Sequence, residues 1–113
     1  MADSCIFCRI AHGEIPTQLV ANTKEIVAFK DLNPQAPVHI LIVPRQHVAS
    51  LDDATDSNLL GRMVALAAAI ARQEHIAKSG YRTVINTGSD GGQSVDHLHI
   101  HLLGGRAMTW PPG

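Results

Sequence analysis

Residues 86–105, NTGSDGGQSVDHLHIHLLGG, restrict the possible folds of this chain more than any other stretch. Its second half alternates: His97, His99 and His101 take one parity, and Leu98, Ile100 and Leu102 take the other. A period of two marks a β-strand with one face on a core. On such a strand the imidazoles line one face, about 6.6 Å from each to the next. A solvated strand face is served as well by Ser, Thr or Lys, so a row of groups that titrate near neutrality points to chemistry. Three uses stay open on these residues alone: a metal held by neutral imidazoles, a histidine acting as nucleophile or general base, and a pH switch. The first half of the stretch narrows the choice. Gly88, Gly91 and Gly92 let the backbone approach a ligand and turn its N–H groups inward, while Asn86, Gln93 and Ser94 add side-chain donors. A donor-rich loop running into a histidine strand suggests a bound phosphate with an imidazole aimed at phosphorus.

The rest of the chain sets limits. A length of 113 residues predicts one domain, with residues 106–113 as a tail. The chain is 45% hydrophobic, enough for a core, yet a domain of this size buries only a moderate share of its surface, which favours a dimer. A net charge of −1 with no basic block argues against nucleic acid as a partner. No apolar run reaches the roughly 18 residues of a membrane span, and no signal-peptide pattern is present. A cytoplasmic protein without membrane partners is therefore expected. In that compartment Cys5 and Cys8, spaced Cys-x-x-Cys, read as a metal site or redox pair and not as a structural disulfide.

Taken in order, residues 3–14 predict a short helix capped by Asp3 or Ser4, striped by Ile6, Phe7 and Ile10 and ended by Gly13. Residues 18–21 and 26–30 predict two strands around a turn at residues 22–24. Residues 31–37 form a loop with two prolines, and residues 38–43 an apolar strand carrying His39. Residues 52–56 supply helix-start side chains for a long helix to about Lys78, with Gly80 as its C-terminal cap. Residues 81–86 alternate as a further strand. The tail holds the only tryptophan, Trp110, and an apolar tail needs a surface to pack on. The sum is an α+β domain: about five mostly antiparallel strands, one long helix across a face and a short N-terminal helix.

With the run from His97 to Leu103 in hand, the chain resembles the histidine triad family, whose signature is His-x-His-x-His followed by apolar residues. It is most similar to the nucleotide-binding, or Hint, branch. Residues 31–39, 86–94 and 97–113 stand in the order and spacing of that branch's motifs. The resemblance implies a homodimer with one continuous sheet, a purine nucleotide site for AMP or GMP, and hydrolysis of nucleoside 5′-phosphoramidates such as adenosine phosphoramidate or AMP-lysine. It implies His99 as the nucleophile that becomes transiently adenylylated, His101 as the phosphate contact and His39 as a supporting fourth histidine. Asp31 then binds the ribose hydroxyls. Asn86, Gly92, Gln93 and Ser94 form the phosphate loop, and Phe7, Ile10, Ile15, Phe29 and Leu32 wall the base. Trp110 reaches toward the neighbouring subunit's site.

Phosphoryl chemistry agrees with these roles. A P–N bond is broken by an in-line nucleophile, with donors for the equatorial oxygens and a proton for the leaving amine. Main-chain N–H groups of Gly92 to Ser94 and the His101 imidazole are the expected donors, Ser94 Oγ bonds the leaving nitrogen, and no metal cofactor is required for catalysis.

Plainer roles stand beside these. Asp31 suits a turn, since Asp-x-Asn-Pro is good turn chemistry; His39 suits a satisfied buried histidine; Phe7, Ile10 and Phe29 suit core; and Trp110 suits an anchor. Other members of the family carry Cys-x-x-Cys at this place and bind zinc, and the matching ligands here are Cys5, Cys8, His47 and His97. Two thiolates and two imidazoles make a closed, structural tetrahedral site. Asp96, often aromatic in relatives, and Thr109, often histidine in such tails, leave fine substrate preference open. A second function class is a nucleotide-binding interaction or regulatory module whose hydrolysis is incidental; a third is a hydrolase with zinc on the three triad imidazoles.

Overall fold

The computed structural model describes residues 4–113. Helix α1 covers Ile6–Ala11, strand β1 Leu19–Asn22, β2 Ile26–Lys30 and β3 Val38–Pro44. A short 3-10 turn, Leu51–Asp53, precedes helix α2, Ser57–Gln73; strands β4, Tyr81–Val84, and β5, Ile100–Gly104, complete the chain. The five strands form one antiparallel sheet in the order β1-β2-β3-β5-β4. The expected α+β architecture is present.

The two parities of each strand decide what each face of the sheet does. Ile40, Ile42, Ile100 and Leu102 point to one side and pack with Leu59, Met63, Ala67 and Ile70 of α2. These α2 residues recur at three- and four-residue spacing, so they form one stripe of the helix. Leu41, Val43, Val27 and Phe29 point to the other side and pack with Phe7 and Ala11 of α1. Because β3 lies between two layers, it reads as a continuous apolar run without alternation. His39 falls on the α1 side of this strand. It lies diagonal to His101, which is paired with Leu41 across the β3–β5 ladder. The imidazoles thus share the face that α1 covers only in part.

Several boundaries differ from expectation. Helix α1 is shorter than residues 3–14, and its N-cap is Cys5, whose Sγ accepts from the Cys8 N–H at 3.4 Å. Ser4 is not the cap, and Asp3 lies outside the described residues. Helix α2 begins after Asp56, whose carboxylate accepts from the Leu59 N–H at 3.1 Å, and it stops at Gln73, short of Lys78. The stop is a Schellman motif: His75 adopts φ 62°, its N–H bonds Arg72 O at 3.2 Å, and the Ile76 N–H bonds Ala71 O at 3.0 Å. Ile76 then folds back into the core. Gly80 closes the next turn instead. Strand β4 ends at Val84, before Asn86.

Ile76 lies directly against Gly104, where an added Cβ would meet Ile76 Cδ1 at 2.5 Å and its Cβ at 3.1 Å. We expect Gly104→Ala to destabilise the fold by about 1–3 kcal/mol through overpacking. The measurement is the urea midpoint, which should fall with little change in m-value; an unchanged midpoint would show that the α2 terminus yields freely.

Candidate active site

His97 and His99 do not lie in the ladder as the alternation suggests. Strand β5 starts at Ile100, so of the three only His101 is on it. The approach keeps strand-like parity: Leu98 stays in the α2-side core, and its N–H bonds Val48 O at 2.7 Å. The side chains then divide between two sites, so the three imidazoles do not form one row.

His99 and His101 line a cavity of about 750 Å³, with ring centroids 4.9 Å apart. That volume suits a nucleotide-sized ligand. Phe7, Ile10 and Ile15 wall the cavity from the α1 side and Phe29 from β2, joined by Leu41 and Val95. Phe7 meets the His99 ring edge-on at 5.2 Å and 82°. Arg45 holds the exit of α1 in place, donating to Ala11 O, Asn22 Oδ1 and Thr23 O. Asp31, His39 and Ser94 also line the space. Leu32 reaches it only at the rim and is 99% exposed.

The hydrogen bonds assign tautomers. His99 Nδ1 lies 2.7 Å from His97 O, and a carbonyl only accepts, so Nδ1 carries the proton and Nε2 the lone pair. His39 Nδ1 accepts from the Gln35 N–H at 3.0 Å. Its proton is therefore on Nε2, which donates to His101 Nδ1 at 2.9 Å and lies 3.4 Å from Asp31 Oδ2. His101 Nδ1 is then an acceptor, and its proton is on Nε2. The site presents one bare imidazole nitrogen and one imidazole N–H donor side by side. Asp31 makes the turn expected of it and also faces a triad-side histidine. Oδ1 accepts from the Asn33 N–H at 2.8 Å, making the turn, while Oδ2 faces His39.

Burial, then the neighbouring His99 and His39 rings, pull His101 down to about 4. It is neutral at neutral pH and acts as a hydrogen-bond donor without charge. In an NMR titration His101 should stay neutral through pH 6 and protonate near 4, and its value should rise in His39→Gln. The linkage sign follows. The unfolded chain binds this proton at higher pH, so His101 costs stability as pH falls from its unfolded value toward 4. Titration near 6.5 would refute the assignment.

The glycine loop is built differently from expectation. The N–H groups of Gly92 and Gln93 bond Ser89 O at 3.1 Å and Gly88 O at 3.0 Å, so both are turned into the loop. The Gln93 amide donates to Ala49 O and Val95 O and accepts from the Gly88 N–H; Asn86 Nδ2 donates to Gly91 O. An added Cβ on Gly91 would collide with Thr87 O, which explains glycine there. Of the four loop residues singled out, Ser94 alone lines the cavity. Trp110 does not line it and is 82% exposed on the single chain. The tail is held by Arg82, which donates to Thr109 O at 2.9 Å.

The second site lies behind Phe7. Cys8 Sγ is 3.2 Å from His47 Nδ1 and 3.4 Å from His97 Nδ1, and Cys5 Sγ is 3.2 Å from His97 Nδ1. All four ligand atoms fall within 4.8 Å of one another. A tetrahedral zinc with two thiolates and two imidazoles needs ligand separations of roughly 3.3–3.8 Å, so the set fits with small adjustment. His97 Nε2 donates to Pro44 O at 2.8 Å, which leaves Nδ1 as the lone-pair nitrogen facing the sulfurs. This is the outer-sphere bond expected of a ligating histidine. Burial and then the Cys5 hydrogen bond push the Cys8 thiol up to about 11, and burial lowers His97. A zinc shared by all three triad imidazoles does not suit this geometry, because His97 turns to the cysteines and His39 occupies His101 Nδ1.

Sequence reasoning missed the main-chain partners that fix these rings: Gln35 N, Pro44 O and His97 O. Backbone groups leave no residue-type signal.

Residues 12–108 match the HIT domain family. The chain is 47% identical to the purine nucleoside phosphoramidase of Escherichia coli K12, over 96% of this chain and 92% of that protein. It superposes on the crystal structure of a HIT family hydrolase from Legionella pneumophila Philadelphia 1 with a TM-score of 0.94 and 51% identity, covering 97% and 100% of the two chains. A zinc-bound histidine triad family protein from Mycobacterium smegmatis aligns at a TM-score of 0.81 and 29% identity, over 94% and 78%. The chain belongs to the histidine triad family. Among the described residues no helix is long and apolar enough to cross a membrane.

Proposed function

We propose that the protein hydrolyses purine nucleoside 5′-phosphoramidates through a transient adenylyl group on His99. It acts on P–N bonds, as the name of its 47% identical relative says of that enzyme. The observation that carries this reading is the 2.7 Å bond from His99 Nδ1–H to His97 O, which leaves Nε2 as a nucleophile in the cavity without any deprotonation step. Nε2 attacks the α-phosphorus. The P–N bond breaks, and the amine leaves with a proton delivered through Ser94 Oγ, which recovers one from water. His101 Nε2–H bonds a non-bridging oxygen. Water then cleaves the histidine–phosphorus bond, releasing AMP or GMP and regenerating His99. In this scheme Phe7, Ile10, Ile15, Phe29 and Leu32 hold the base and Asp31 the ribose, while Asn86, Gly92 and Gln93 shape the loop that presents Ser94.

Zinc on Cys5, Cys8, His47 and His97 is part of this proposal. Supporting it are the fit of the donor set and the zinc-bound relative. When bound, zinc supplies a cross-link between α1 and the approach to β5, and no catalytic step. A homodimer with a continuous sheet is also proposed; the exposed Trp110 and the β4 edge are the surfaces it would cover.

The test compares adenosine 5′-phosphoramidate with the methyl ester of AMP. We expect kcat/KM for the P–N substrate to exceed that for the P–O substrate by at least tenfold, about 1.4 kcal/mol. Equal rates, or none with either, would refute it.

A further inference from the structure

The loop between β2 and β3 begins and ends at one bond, from the Asp31 N–H to His39 O at 3.0 Å. Inside it, the Gln35 N–H is aimed at His39 Nδ1 at 3.0 Å. The same peptide is gripped from outside, because Arg106 Nε donates to Gln35 O at 3.0 Å. Arg106 follows the end of β5, and the corner it turns is tight: Gly105 has φ +88°, and a Cβ there would lie 2.9 Å from Pro37 Cβ. Arg106 also donates to Ala107 O at 3.2 Å. The strand that carries His101 therefore continues directly into the residue that holds Gln35.

We propose that the Gln35 main-chain N–H, held by Arg106, is a positioning device that locks the proton of His39 on Nε2 and so makes His101 a donor toward the phosphate. The proposal rests on the phosphate-facing role given to His101 above. Without the Gln35 N–H, only the more distant Asp31 Oδ2, 3.4 Å from Nε2, favours that tautomer, and the His39 proton shifts in part to Nδ1, where Nε2 accepts the His101 Nδ1 proton. His101 would then turn a lone pair toward the phosphoryl oxygens. Ground-state binding by the base and ribose contacts is untouched, so kcat falls and KM does not rise. The Gln35 side chain has no part in this, since its amide donates to Asn33 O.

The decisive pair is Gln35→Ala and the same protein with lactate at position 35, in which an ester oxygen replaces only the N–H. Gln35→Ala keeps the main-chain N–H and loses only a side chain that lines the cavity, so it is the reference for kcat and KM of the ester protein. The ester protein should lose about tenfold in kcat, the scale of one hydrogen bond, with KM within about twofold. Nitrogen-15 NMR should show His39 protonated on Nε2 in wild type and Gln35→Ala, and shifted toward Nδ1 in the ester protein. Arg106→Ala should reproduce the shift in part. A wild-type His39 protonated on Nδ1 would overturn the proposal, as would an ester protein with unchanged tautomer and kcat. An altered tautomer with unchanged kcat would remove the catalytic role. The NMR readout needs no substrate, so inactivity of the wild type on phosphoramidates would count against the function and leave the tautomer result standing.

Discussion

His99→Ala should reduce AMP release from adenosine 5′-phosphoramidate by about 10⁴-fold or more, while AMP binding changes little. Removing a nucleophile deletes the covalent route itself, and losses of this order are typical of such residues. The binding surface survives because the cavity is built mainly by Phe7, Ile10 and Phe29 on α1 and β2, and by Asp31. A smaller loss is expected in His101→Gln, about 10²-fold, since a donor is weakened and the nucleophile stays. Calorimetric titration with AMP separates the two effects. A His99→Ala protein that retained turnover would move the nucleophile elsewhere. A protein that lost AMP binding as well would point to a collapsed wall, for which the edge-on contact of Phe7 on His99 is the candidate.

The second large effect is on stability. If zinc joins Cys5, Cys8, His47 and His97, then Cys8→Ala should lower stability by roughly 3 kcal/mol or more, or about 12 °C or more in Tm. Cys8 is 2% exposed and lies at the centre of the cluster, in reach of both histidines. A chelator should lower the Tm of the native protein and leave Cys8→Ala unmoved. Activity should fall with it, because His97 serves both sites: its ring faces the sulfurs, and its carbonyl holds the His99 proton. A native protein that carries no zinc by metal analysis, with a chelator-independent Tm, would reduce the cluster to two thiols packed against imidazoles.

How much of this was legible in the residues depends on which atoms carry the signal. Parity did most for the fold. Leu98, Ile100 and Leu102 declared the core face, and His99 and His101 the opposite one, even though the ladder begins only at Ile100. Parity cannot say that His97 turns away to Cys5 and Cys8, so the row it suggests divides between two sites. The end of α2 is not legible because Gly80 is the conventional cap, whereas the helix already stops at His75, which takes the left-handed conformation and sends Ile76 into the core. The cap of α1 is not legible because cysteine is not a usual cap, and its role follows from the cluster it belongs to. Cys5 and Cys8 announced a metal or redox site through their spacing, but His47 and His97 were reachable only through family resemblance. Gly92 and Gln93 looked like phosphate donors by composition, yet their N–H groups close the loop on itself.

The central claim is a covalent bond to one nitrogen. Labelled adenosine phosphoramidate should be mixed with enzyme, quenched within a turnover, digested under conditions that preserve phosphohistidine, and mapped by mass spectrometry. The account predicts an adenylyl group on His99 alone, absent from His99→Ala. An adduct on His97, His101 or Ser94, or turnover with no adduct at the earliest quench, would contradict it.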